Sequence, residues 1–352
     1  MNTNANIRRL IFLFMSLFMV SIFLQIVQFQ FFERMIKCHT NVVNTRSNEE
    51  QNIKPPIFLM EPDIQLRNKS NTKCLPGRES YFVHVTFVKS AMGNTLNRDT
   101  IRQTWGSVSH IGHVDFYTVF VVGSYGSEAN FTSLEDESEK HKDILQYSGD
   151  DKYGNIAEKT LAGMAWAATN LHFNTKPLLG GHLYASADDD MLIDVDELRK
   201  NIFNYYQHSG YLRMKLFPIV CGFKLAEKSK PQRTPGAKWY VSEDVFKWGV
   251  YPHFCHGGFY TMSIATMLEL YKASMETNLF HFDDVWITGI LRNVIGMPNN
   301  YLVASMGSQI SEHYAAFESN EMNRINFREK FEQNMLRVTQ PYCRKAVETK
   351  SP

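Results

Sequence analysis

Apolar and polar positions fall into blocks along this chain, and the blocks predict strands alternating with helices. Tyr81-Phe-Val-His-Val-Thr-Phe-Val88 is β-branched and aromatic and predicts a first buried strand. A loop carrying Gly93 and Asn94 follows, then Arg98 to Trp105 with a helix-like start. Phe116 to Val122 predicts a second buried strand, ended by Gly123, and the charged stretch Ser133 to Tyr147 predicts a helix. Ile156 to Leu171 is amphipathic, with Leu161, Met164, Ala165 and Ala168 on one helical stripe. His182 to Ala187 predicts a short apolar strand and Asp194 to Gln207 another helix. Such alternation predicts an α/β layered sheet with parallel strands at its centre.

The N-terminal pattern differs. Leu10 to Val27 is an uncharged apolar run of about 18 residues, long enough to span a bilayer as a helix. Arg8 and Arg9 precede it, which keeps the short end cytoplasmic. No small-residue cleavage site follows, which favours a retained anchor over a cleaved signal peptide. The expected organisation is a cytoplasmic tail over 1–9, a signal-anchor transmembrane helix over 10–32, a polar stem over 33–78, a lumenal domain over 79–345 and a tail over 346–352. Two sequons, Asn68-Lys-Ser70 and Asn130-Phe-Thr132, agree with lumenal exposure. The five cysteines fit no zinc spacing; one or two disulfides are expected, with Cys38 as the odd one out. A net charge of +1 leaves no electrostatic case for nucleic acid as a partner.

Chemistry enters at Asp188-Asp189-Asp190, which closes the third apolar strand. Three adjacent carboxylates repel, and oxygen-only donors suit a hard divalent cation such as Mn²⁺ or Mg²⁺. A solvated acidic turn is the competing reading. In open α/β sheets ligands bind at the carboxyl ends of strands, where this triplet sits. A second acidic pair, Asp283-Asp284, precedes the apolar helix-like run Val285 to Leu291; plain helix capping is the alternative there. Between them, Lys238 to Ser242 and Tyr251 to Tyr260 form an aromatic loop around Gly257-Gly258, whose glycines allow a backbone to approach a ligand.

These motifs in this order resemble the β-1,3-galactosyltransferase-like glycosyltransferases, inverting type II Golgi membrane enzymes. Arg98 with Ile101-Arg102-Gln-Thr-Trp105 resembles the family's R-x-x-I-R-x-T-W segment, and Phe120 to Gly123 its F-x-x-G strand. Glu137, Asp143-Ile-Leu145, Asp151-Lys-Tyr153-Gly-Asn155, Lys159-Thr160 and Trp166 follow in family order, as do Asp188-Asp189-Asp190, Tyr251 to Tyr260, and Asp283-Asp284-Val285 with Gly289. The chain departs from the pattern at Ser186-Ala187, where a lysine is usual, at Asn170, near a usual cysteine, at Asp283, where glutamate is usual, and in the spacing of the Gly257-Gly258 loop.

The resemblance implies a GT-A-like fold, a single catalytic domain behind the anchor and stem, and a UDP-sugar donor with Mn²⁺ (or Mg²⁺). It implies galactose transfer to a glycan hydroxyl in β-1,3 linkage on a glycoprotein or glycolipid. Transfer of N-acetylglucosamine or N-acetylgalactosamine is the near alternative, and a non-catalytic glycan-binding chaperone the distant one. Asp284 is the expected base, with Asp283 behind it; Asp190, Asp188 and His313 are the expected metal ligands. Arg98, Arg102, Asp151, Asp188, Asp189, Gly257 and Gly258 are the expected donor contacts, with a structural ion pair the equal alternative for Arg102 and the favoured one for Lys159. Trp239, Tyr251 and Phe259 are candidates to stack on sugar faces, with burial in the core as the rival. A Golgi membrane location and a homodimer complete the expectations.

Overall fold

The fold follows from a computed structural model, which describes residues 55–64, 82–112, 114–124, 128–171, 181–207, 218–305, 309–314 and 320–348. The expected cytoplasmic tail, anchor, most of the stem, Asn68, Cys38 and Cys74 lie outside these residues. Among the described residues, no helix is long and apolar enough to cross a membrane.

In chain order the elements are β1 (Phe58–Met60), β2 (Phe82–Lys89), α1 (Thr95–Gln103), β3 (His110–Ile111), β4 (Val114–Val122), α2 (Glu128–His141), β5 (Ile144–Tyr147) and α3 (Ile156–Asn170). Then come β6 (Gly181–Asp188), β7 (Met191–Ile193), α4 (Val195–Gln207), β8 (Ile219–Cys221), β9 (Lys224–Ala226), β10 (Phe254–His256), β11 (Phe259–Ser263) and α5 (Ile264–Met275). A π-helical segment (Asp284–Leu291), β12 (Leu302–Ala304), β13 (Ser311–His313) and α6 (Glu321–Glu348) close the chain.

The main sheet runs β1-β5-β4-β2-β6-β11-β8-β12, with β3 beside β4. Its centre is parallel, as the alternating pattern predicts: β2 pairs parallel with both β4 and β6. Beyond β6 the sheet turns antiparallel through β11. Every residue of β2 is buried, because helices cover both faces. Val83, Val85 and Phe87 point into one core with residues of α3, α5 and the π segment. Phe82 and Val88 point into the other, with Ile101, Trp105, Ile202 and Phe327. His84, on that second face, is held neutral, its pKa pushed down to about 3 by burial, and bonds Thr261 Oγ1 at 3.1 Å.

Three expectations change. The stretch Ser133 to Tyr147 is not one helix: α2 stops at His141, Lys142 turns at φ 58, and Ile144-Leu-Gln-Tyr147 forms the fully buried β5. The β-branched and aromatic residues of that tail fit a sheet better than the charged helix before it. The sheet also reaches into the expected stem, since Phe58–Met60 pairs antiparallel with β5. The run after Asp283 is wound as a π-helix rather than an α-helix.

Cys221 and Cys255 form a disulfide across a sequence separation of 34, joining β8 to β10. Closing a loop of that length removes chain entropy worth about 3–4 kcal/mol. Replacing both cysteines by serine should therefore lower unfolding stability by about that amount in a denaturant melt, with the secondary structure retained in circular dichroism.

Candidate active site

Strand register brings the two acidic clusters together. In the parallel β2–β6 pair, Lys89 lies opposite Asp188. Lys89 Nζ sits 2.9 Å from Asp188 Oδ1 and donates to Asp283 Oδ2 at 2.7 Å. One buried ammonium thus joins the triplet to the second pair. Burial alone would lower its pKa; the charges of Asp188 and then Asp283, with their hydrogen bonds, outweigh that and hold it above the ordinary lysine value. Asp283 Oδ2 also accepts from Thr160 Oγ1 at 2.8 Å. Asp283 Oδ2 is therefore taken up by two buried donors.

Asp284 faces the other way. Its Oδ2 accepts the Gly257 N–H at 3.0 Å and its Oδ1 the Val285 N–H at 2.7 Å. Among the described residues no cation forms an ion pair with it, and burial together with the Asp283 charge pushes its carboxyl up to about 7. The wide π turn presents these adjacent carboxylates to different partners; such turns recur at functional sites. Thr288 pins the turn: its Oγ1 donates to Asp284 O at 2.6 Å and accepts the Cys255 N–H at 2.9 Å.

Gly257 and Gly258 connect Asp284 to the triplet. Both have left-handed backbones, at φ 42 and φ 55. The Gly258 carbonyl accepts the Asp188 N–H at 2.8 Å. A Cβ at Gly258 would lie 2.5 Å from Met191 Sδ, whereas one at Gly257 would meet nothing within 4 Å. The Gly257 surface is open where the sequence expects a ligand to approach.

Asp190 is the least satisfied carboxylate. Its Oδ1 is buried with no hydrogen-bond partner among the described residues, while its Oδ2 lies 3.0 Å from His313 Nε2. Burial first, then the charge of Asp188, pushes its carboxyl up to about 6, against the pull of His313. β13 pairs antiparallel with β7 and sets His313 beside the triplet. Among the described residues, no three His, Cys, Asp or Glu side chains converge as a metal set.

The remaining expected donor contacts build the wall of the site. Arg98 is fully buried and grips Glu137 through two hydrogen bonds of 2.7 Å. It also donates to Ala91 O at 2.6 Å and Met92 O at 3.0 Å, which fixes the loop after β2. Arg102 forks onto Asp143 with two bonds of 2.8 Å and stacks 4.8 Å over the Phe120 ring. Both guanidiniums are thus paired with carboxylates inside the protein, which for Arg102 is the structural ion pair held as the equal alternative. Asp189 accepts from Ser90 Oγ at 2.6 Å and Asn94 Nδ2 at 2.9 Å. Asp151 accepts the Met92 N–H and pairs with Lys159, which donates to Ser90 O at 2.7 Å. Asp151, Asp189 and Lys159 thus hold the same loop. Of the three aromatic candidates, Tyr251 and Phe259 are core residues, and Trp239 is 56% exposed.

Sequence reasoning gives no site role to Lys89, Thr160, Ser90 or Asn94. A lysine ending an otherwise apolar strand was the available signal: a buried ammonium requires a carboxylate partner.

The family described as Galactosyltransferase matches residues 96–302. Among curated proteins, the chain is 32% identical over 200 residues to Beta-1,3-galactosyltransferase brn of Drosophila melanogaster, spanning 57% of each protein. It is 28% identical over 242 residues to Beta-1,3-galactosyltransferase 5 of Homo sapiens, spanning 66% of this chain and 69% of that one. It is 30% identical over 197 residues to Beta-1,3-galactosyltransferase 1 of Mus musculus, spanning 56% of each. The X-ray structure of the mannosyltransferase Ktr4p from S. cerevisiae aligns over 74% of this chain and 80% of that one, with TM-score 0.26 and 8% identity, a likeness too slight to bear on the fold.

Breaking a buried ion pair leaves an uncompensated charge, at a cost of about 3–5 kcal/mol. Lys89→Met should therefore destabilise the protein by about that much in urea, and adding Asp283→Asn should recover part of the loss.

Proposed function

The chain belongs to the galactosyltransferase family, and on that footing we propose that it moves galactose from UDP-galactose onto a glycan hydroxyl in β-1,3 linkage, with inversion. One observation carries the reading: the β2–β6 register sets Asp188 and Asp283 on one ammonium at the carboxyl ends of parallel strands, and the Gly257-Gly258 turn bonds Asp284 beside them. The relatives named as β-1,3-galactosyltransferases favour galactose over N-acetylhexosamines. The finer fold assignment is the GT-A type.

Asp284 is the base. It takes the proton from the acceptor hydroxyl as that oxygen bonds to the anomeric carbon and UDP departs from the opposite face. A carboxyl pushed up to about 7 suits that task near neutral pH. Asp283 holds the geometry through Lys89 and Thr160. The loop braced by Arg98, Asp151 and Asp189 forms one wall of the nucleotide site, and Gly257 and Gly258 let the donor approach the backbone closely.

A divalent cation, Mn²⁺ or Mg²⁺, fits beside Asp190, whose buried Oδ1 is orphaned among the described residues. Asp190 and His313 would hold it, with Asp188 engaged by Lys89, and when bound it would supply positive charge to the diphosphate. The apolar run at Leu10 to Val27 with Arg8 and Arg9 supports a single-pass type II anchor, and the Cys221–Cys255 disulfide supports an oxidising lumen such as that of the Golgi.

With a panel of UDP-sugars and Mn²⁺, the purified chain should consume UDP-galactose fastest and stop on addition of EDTA; consumption of UDP-N-acetylglucosamine instead would reassign the donor. The pH profile carries a sign. Asp284 works as carboxylate, so kcat/KM should fall about tenfold per pH unit below about 7 and level off above it. Asp284→Asn should abolish transfer and remove that limb, with the protein still folded.

A further inference from the structure

Beside the open face of Gly257 lies a pair of side chains that the reaction described above leaves unused. His256 ends β10 and is exposed; the next residue, Gly257, donates its N–H to Asp284 Oδ2 at 3.0 Å. Phe223, in the turn between β8 and β9, is 39% exposed, although aromatic rings favour burial. The His256 and Phe223 rings meet at 5.9 Å, tilted by 54°. On its other side His256 lies nearly parallel to the buried Phe254, at 6.5 Å and 15°.

The backbone under this pair is rigid. β10 and β9 pair antiparallel, setting His256 opposite Lys224. The disulfide joins Cys221, two residues before Phe223, to Cys255, next to His256. The Gly222 carbonyl accepts the N–H groups of Ile310 and Ser311 at 3.0 and 3.1 Å. An exposed aromatic on a pinned turn costs little entropy when it meets a ligand.

We propose that Phe223 and His256 form the acceptor subsite: the terminal sugar of the acceptor glycan lays an apolar face on Phe223, His256 hydrogen-bonds a hydroxyl, and the attacking hydroxyl reaches Asp284 across Gly257. The occupant follows from position and chemistry. His256 directly precedes Gly257, whose N–H bonds Asp284, so the pair extends from the base along the β9–β10 ribbon. A pyranose offers a C–H face to a ring and hydroxyls to an imidazole. Gly257 leaves room at the point of attack, where a Cβ would project into open space.

The inference rests on the galactosyltransferase reading, and the test separates the two. The full chain is assayed with UDP-galactose, Mn²⁺ and a panel of p-nitrophenyl β-glycosides of N-acetylglucosamine, galactose, glucose and mannose, with UDP–Mn²⁺ affinity measured by calorimetry. Phe223→Ala should raise the KM of the preferred glycoside about tenfold, with the UDP dissociation constant unmoved, and Phe223→Trp should restore it. His256→Ala should raise that KM and change the ranking of the glycosides, while His256→Asn keeps part of the affinity. Unchanged acceptor KM and ranking in both alanine variants overturn the proposal, as does a loss of UDP affinity equal to the loss of acceptor affinity. Failure of the underlying reading looks different: the wild-type chain then consumes no UDP-galactose with any glycoside or with water.

Discussion

A single buried ammonium, shared between Asp188 and Asp283, is the interaction on which the site depends. It joins the end of β2 to the end of β6 and to the start of the π segment, which are distant in the chain. In a low-dielectric interior a lone carboxylate at either position would be costly, and so would the lysine without both. The three groups are tolerable only together, and together they fix where the triplet and the Asp283-Asp284 pair sit. One ammonium does not balance the neighbouring acids, however. The surplus negative charge, added to burial, raises the carboxyls of Asp190 and Asp284. Folding thus holds these protons more tightly than the unfolded chain does, so their contribution to stability declines as pH rises from the ordinary carboxylate range toward about 6 and 7. The site gives up stability at neutral pH to hold a raised carboxyl at Asp284 and an unsatisfied oxygen at Asp190.

Around this centre a second set of charges serves the backbone. Arg98 and Arg102 neutralise Glu137 and Asp143, and burial, which would raise the Glu137 pKa, loses to the two guanidiniums, so its carboxyl stays below the usual range. Arg98 and Lys159 donate to the carbonyls of residues 90–92, and Asp151 accepts the Met92 N–H. A loop that would otherwise move is tied at each peptide, and Asp189 is held against it by Ser90 and Asn94. Such preorganisation lets a site meet charge without reorganising during reaction.

Much of this was legible in the residues, for identifiable reasons. The β-branched run at Tyr81 to Val88 could only be a buried strand, and the acidic triplet had to end one. The motif order singled out Asp284, as the second acidic position of its pair, but not the reason. That depends on a π turn, and nothing in the periodicity of Val285 to Leu291 separates 3.6 residues per turn from a wider winding. The roles of Arg98 and Arg102 were not legible either. Motif membership marks an arginine as indispensable without telling a ligand contact from a brace, and only the partners, Glu137 and Asp143, decide it. Phe58–Met60 was read as stem because three residues carry too little pattern to announce an edge strand.

The physical division within the site follows from how each part is held. The charge-bearing groups come from strand register and an ion pair, where a one-residue slip would turn every side chain to the opposite face. They cannot drift without loss of the fold. The turns at Gly222-Phe223 and His256-Gly257-Gly258 are secured instead by a disulfide and backbone hydrogen bonds. Backbone bonds ask nothing of the side chains at Phe223 and His256, so those positions can change identity while the carboxylates stay in place. The loop around Gly257-Gly258 is also where this chain departs from the spacing of its family's motif. A fold that anchors its reacting groups through side chains and its rim through backbone can keep one reaction while varying what it accepts.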